Sequence, residues 1–129
     1  MYSIGTDIVK VERIKKLLNN NGNKFLNKIY TENEIQYCNS NSDPYIHLSG
    51  KYAAKEAVKK ALLSKNIIKT ISLKKIEILN NENKSPYVKI DDLDDININI
   101  TISHETQYAV AFALIEKWSL YLQKNMLIN

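Results

Sequence analysis

The chain has 129 residues, 44% of them apolar, and a formal net charge of +4. That length suits one domain with its own core. A lone cysteine, Cys38, rules out an internal disulfide, and with His47 and His104 the only histidines a Cys/His zinc site is disfavoured. No apolar run approaches the roughly 20 residues of a membrane span. No basic-then-apolar leader opens the sequence, and a strand-like segment begins almost at Met1, so a cytoplasmic protein without a transit peptide is expected.

In chain order, Tyr2 to Val9 alternates as a strand, with Ile4, Thr6 and Ile8 on one face and Ser3, Gly5 and Asp7 on the other. Gly5 weakens a strand but lets another group approach its backbone. Val11, Ile14, Leu17 and Leu18 repeat at helical spacing until Asn19-Asn20-Asn21-Gly22 stops them. Phe25, Leu26 and Ile29 predict a second short helix. Thr31-Glu32-Asn33-Glu34 fits a capping box opening a third, which runs to about Cys38. Pro44 begins a long helix through Leu63.

The pattern then changes to strands: Lys75–Leu79, Pro86–Ile90, Ile96 to His104 and Tyr108–Ile115. His104 falls on the isoleucine side of its strand. Tyr108 is read as a core residue and Cys38 as a helix-packing one. From Glu116 onward, Trp118, Tyr121, Leu122 and Met126 recur at roughly helical spacing. Neither a repeat nor a domain boundary is visible, so residues 1–129 read as one domain.

The charge is uneven. Residues 1–30 carry six Lys/Arg against Asp7 and Glu12, and residues 51–75 carry eight Lys against Glu56 alone. An anionic partner is implied. In the long helix Lys51, Lys55 and Lys59 form one row, with Tyr52, Glu56 and Lys60 beside it and Ala53, Ala57 and Ala61 next. Like charges at i,i+4 weaken a helix by roughly 0.2–0.5 kcal/mol per pair. Either the row is a solvated basic face with a Glu56–Lys60 ion pair, or it is presented to an anion. Asp7 and Glu56 are carboxylates from distant elements in small or apolar surroundings. Brought together they repel, so a cation between them is one resolution. Mg²⁺ suits such a pair, because it takes one or two carboxylates and completes its shell with water and phosphate oxygens. The spacing equally allows Asp7 to end a strand and Glu56 to pair with Lys60. His104 is either a packed, hydrogen-bonded histidine or a phosphate donor. No Gly-rich phosphate loop is present, which argues against Walker-type nucleotide chemistry.

Three stretches taken together resemble the holo-acyl-carrier-protein synthases, the short bacterial 4'-phosphopantetheinyl transferases. They are Ile4-Gly5-Thr6-Asp7-Ile8-Val9, Gly50-Lys51-Tyr52-Ala53-Ala54-Lys55-Glu56-Ala57 and Ile102-Ser103-His104, in order over roughly residues 2 to 115. The resemblance implies an α+β fold, a long central helix packed on an antiparallel sheet. It implies transfer of the 4'-phosphopantetheine arm of coenzyme A to a serine of apo acyl carrier protein, releasing adenosine 3',5'-bisphosphate. Asp7 and Glu56 match the family's metal ligands, with Mg²⁺ bridging them to the pyrophosphate. Glu56 or a metal-bound water is the candidate base for the serine proton. Lys60 matches the lysine one turn after the glutamate, and His104 the late histidine near the coenzyme phosphates. Lys51, where the family often has arginine, and Lys55 of the same row are also expected at the coenzyme, with Ser85 and Pro86.

The sequence departs from the family at Lys84-Ser85-Pro86, where Gly-Lys-Pro is common, so Lys84 replaces the glycine and Ser85 the lysine. The family's carrier-protein contact falls on the first helix, here Arg13 with Lys15, Lys16 and Lys24, and Leu17 as an apolar contact. Phe25 is read as core. The family is trimeric, with sites between subunits, and the isoleucine strand at 96–102 is a candidate for burial there. Two other readings stand beside this one. One is an inactive paralogue that binds coenzyme A or a carrier protein. The other is a small basic nucleic-acid-binding domain, supported by the charge and eight tyrosines but by no recognition motif.

Overall fold

A computed structural model of the chain describes residues 1–118. Five strands and three helices follow the order β1 (Tyr2–Lys10), α1 (Val11–Ile29), α2 (Glu32–Asn39), α3 (Pro44–Ser64), β2 (Glu77–Asn80), β3 (Pro86–Lys89), β4 (Ile96–His104) and β5 (Tyr108–Lys117). A 3₁₀ turn, Leu73–Lys75, precedes β2. The architecture is α+β with antiparallel pairing throughout the described residues. One sheet has the order β1-β5-β4, with Tyr2 opposite Glu116 and His104 opposite Ala109. The second is the β2–β3 hairpin.

The long helix α3 is the centre of the packing. Its sequence is rich in strong helix formers, Pro44 occupies its first turn, and the Asp43 carboxylate accepts from the Ile46 amide. Ala53, Ala54, Ala57 and Ala61 are buried against Gly5 and Val9 of β1 and Ala109, Ala111 and Ala113 of β5. Small residues on all three elements let the helix backbone approach the sheet closely. Thr31 and Glu34 form the predicted capping box at α2. The polar stop at Asn19–Gly22 appears as a kink: Gly22 adopts φ 50°, and helix continues on either side of it.

Alternation placed the strands correctly without saying which face is covered. Ile4 and Ile8 of β1 are exposed (62% and 63%), while Ser3 and Gly5 are buried. Tyr108, expected in the core, is 38% exposed and points away from α3 with Val110 and Phe112. The isoleucines of β4 are half-buried and pack inward against the core. Glu116 and Lys117 belong to β5 rather than to a helical tail. Tyr121, Leu122 and Met126 lie outside the described residues.

Candidate active site

Asp7 lies on the α3-facing side of β1, two residues after Gly5. The close approach of β1 to α3 brings Lys60 to it. Lys60 Nζ donates to Asp7 Oδ1 at 2.9 Å and to the Thr6 carbonyl at 3.0 Å. The ion pair of Lys60 is thus with Asp7, not with Glu56. Glu56 sits one turn before Lys60, half-buried, and Tyr52 one turn before that. Burial is the main influence raising the Tyr52 phenol above its usual range. The carboxylate of Glu56 pushes it further and that of Asp7 adds to it, while Arg13 of α1 opposes the shift. Both carboxylates therefore bear on one phenol, and the Arg13 guanidinium lies 5.9 Å from the centre of the same ring.

Among the described residues no group of three or more His, Cys, Asp or Glu forms a metal cluster. A two-carboxylate, all-oxygen donor set still fits Mg²⁺, which keeps water or phosphate oxygens in its remaining positions. It fits zinc poorly, since nitrogen and sulfur ligands are lacking here.

The second part of the site is a cavity of about 230 Å³ between α3, β4 and the β2–β3 loop, lined by His47, Lys51, Asn80, Lys84, Pro86 and His104 among others. Lys51 precedes Glu56 by five residues, about 7.5 Å along the helix axis. Lys51 is only 4% exposed. Its ammonium donates to the Ile78 carbonyl and to Asn80 Oδ1, both at 2.7 Å, and sits 4.6 Å from the centre of the Tyr37 ring. Two of its three N–H donors are thus engaged, leaving one for a ligand. Burial lowers its pKa.

Lys55 corrects the expectation of a phosphate contact. It is fully buried, paired with Glu34 at 2.7 Å, and donates to the carbonyls of Leu73 and Ile76. All three donors are used inside the protein. Glu34 in turn accepts from the amides of Thr31 and Ile78. The pair ties α2, α3, the 3₁₀ turn and β2 together. Ser85 is likewise engaged in its own loop, donating to Asn83 Oδ1 at 2.6 Å, and it does not line the cavity, whereas Pro86 does. Lys84, which the expectation passed over, lines it. His47 was also missed, although it extends the Lys51–Lys55 row back by one turn.

On α1, Arg13, Lys16 and Lys24 are exposed and Lys15 is half-buried, its ammonium 5.2 Å from the Tyr45 ring centre. Leu17 and Phe25 are partly buried and pack against the core. Cys38 is fully buried, in the packing role expected of it.

The 4'-phosphopantetheinyl transferase superfamily model matches residues 3–113. The holo-[acyl-carrier-protein] synthase of Thermodesulfovibrio yellowstonii is 51% identical over 112 residues, covering 87% of this chain and 96% of that protein. The Protochlamydia amoebophila enzyme of the same name is 43% identical, covering 90% and 96%. A Bacillus anthracis holo-(acyl-carrier-protein) synthase structure in complex with CoA (3',5'-ADP) superposes with TM-score 0.76 at 31% identity, over 90% of this chain and 96% of that one. The Helicobacter pylori synthase in complex with coenzyme A gives 0.77 at 30% identity, over 88% and 99%. This is a transferase of the phosphopantetheinyl class. The chain belongs to the 4'-phosphopantetheinyl transferase superfamily and, within it, to the holo-[acyl-carrier-protein] synthase family.

Proposed function

We propose that the protein, as a single domain, transfers 4'-phosphopantetheine from coenzyme A to a serine of apo acyl carrier protein, releasing adenosine 3',5'-bisphosphate. The observation that carries this is the Lys60–Asp7 ion pair at 2.9 Å, which brings Asp7 of β1 to the turn of α3 that follows Glu56, on the helix whose Lys51 lines a cavity with no lining carboxylate. Family membership favours this transferase over a nucleic-acid-binding domain.

Asp7 and Glu56 would hold Mg²⁺, which when bound neutralises charge on the transferring and leaving phosphates. Lys60, 54% exposed at its side chain, reaches a phosphate oxygen while holding Asp7 in place. Lys51 offers its remaining donor, and His104 and Pro86 complete the coenzyme cavity. The serine hydroxyl oxygen forms the new bond to phosphorus as the phosphoanhydride bond breaks, and the bisphosphate leaves with that bond's electrons. Glu56 takes the serine proton. Positioning and charge stabilisation supply most of the rate.

An acidic carrier protein docks on Arg13, Lys15, Lys16 and Lys24, with Leu17 offering its exposed edge. Arg13 links this face to the carboxylates through Tyr52. The enzyme is a homotrimer with its sites between subunits. The exposed face of β1 and β5, with Ile4, Ile8, Val110 and Phe112, is the contact surface. Among the described residues no helix is long and apolar enough to cross a membrane.

The test is the mass of purified apo acyl carrier protein after incubation with the protein, coenzyme A and Mg²⁺. A gain of one phosphopantetheine, abolished by EDTA, is expected. No gain with folded protein would contradict the reading.

A further inference from the structure

His47 stands half-buried on α3, one turn before Lys51, and its ring meets that of His104 from β4 edge-on, with centroids 5.6 Å apart. Tyr37 of α2 closes another side at 6.0 Å. The remaining charged neighbours are Lys51 on the same helix, Lys84 from the β2–β3 loop and Asp43 at the start of α3. Bases therefore outnumber acids around this imidazole. Burial, then His104 and Lys51, lower its pKa, Asp43 opposes them and Lys84 adds to the lowering.

A dianion placed in the cavity reverses that balance. It offsets the mutual repulsion of the two rings and favours the imidazolium, which donates from both nitrogens. We propose that His47 is a phosphate-contacting residue of this cavity that takes up a proton as a phosphate group of coenzyme A enters, so that affinity for the substrate depends on pH. This rests on the reading of the cavity as the coenzyme site.

The sign follows from linkage. A base whose pKa rises on binding takes up a proton, so affinity strengthens as pH falls and weakens as pH rises towards about 8. A phosphate monoester entering a basic cavity shifts in the opposite sense: its second pKa, near 6 in water, falls and it releases protons. Net uptake therefore identifies the protein's own groups.

The experiment is calorimetric titration of coenzyme A into the intact protein with Mg²⁺, in buffers of differing ionisation enthalpy, from about pH 6 to about pH 8. Wild-type protein should take up protons and lose roughly threefold to tenfold in affinity over that range, as a single linked group allows. His47→Gln should take up fewer protons and show a flatter profile. Because the chain has two histidines, imidazole resonances of wild-type protein report the same event directly. They are assigned with whichever of His47→Gln or His104→Gln folds, and the His47 midpoint should rise with coenzyme A. An unchanged midpoint, or uptake equal in His47→Gln and wild type, would overturn the role of His47 alone. No coenzyme A binding at any pH would overturn it together with the cavity reading.

Discussion

A Cβ added at Gly5 would overlap the carbonyl oxygen of Ala57 and stand 2.9 Å from the amide nitrogen of Ala61. Strand β1 and helix α3 thus meet backbone to backbone, and that contact holds Asp7 within 2.9 Å of Lys60. Gly5→Ala should force the two apart, costing about 1–3 kcal/mol and more transfer activity than the stability loss explains. Denaturant unfolding alongside initial rates checks this. A Gly5→Ala protein of wild-type stability and rate would contradict the contact.

The buried Lys55–Glu34 pair is a structural tie. Removing one partner leaves an uncompensated buried charge, so Lys55→Met should destabilise the fold by about 3–5 kcal/mol. In Lys55→Met combined with Glu34→Leu, much of that loss should return. Urea unfolding measures both. Under conditions where Lys55→Met remains folded, its KM for coenzyme A should stay near wild type, because Lys55 has no donor left for a phosphate.

Lys84 adopts φ 69°, in the left-handed region that favours glycine. A non-glycine residue there costs about 1–2 kcal/mol, partly offset in a glycine variant by the greater freedom of the unfolded chain. Lys84→Gly should therefore leave the melting temperature level or slightly raised. It should also raise the KM for coenzyme A by removing a cation from the cavity. Calorimetric melting and steady-state kinetics separate the two effects.

Alkaline pH should unfold the protein. Burial pushes the Cys38 thiol up to about 12, and burial likewise raises the Tyr30 phenol well above its usual range. Both groups are favoured neutral in the fold. The stability they contribute is complete below their unfolded values, about 8.5 for the thiol and 10 for the phenol, and is lost as pH rises through the folded ones. Melting curves should fall progressively above about pH 9, and native Cys38 should resist thiol reagents until unfolding.

Much of this structure was legible in the chain. The capping box at Thr31 and Glu34, the close approach at Gly5 and every strand of the two sheets follow from local spacing. Depth did not. His47, Lys51 and Lys55 share one helical row, yet His47 and Lys51 line the open cavity, while the 3₁₀ turn and Glu34 cover Lys55. Periodicity defines the row but cannot say what lies over each turn of it. The same limit applies to β1 and β5, where alternation gives two faces and only packing against an alanine-rich helix chooses the small-residue one. The signal for His47 is its place four residues before Lys51, where an imidazole rather than an ammonium continues the row.

The proposed transfer requires Asp7 and Glu56 to act as one centre. The most direct measurement is the rate of phosphopantetheine transfer to apo acyl carrier protein by Asp7→Asn, Glu56→Gln and the double variant, all shown to be folded. Residues that act as a unit are grossly non-additive. Each single variant should lose nearly as much as the double, with metal dependence lost in all three. Full activity in either single variant, or losses that simply multiply, would contradict a shared centre.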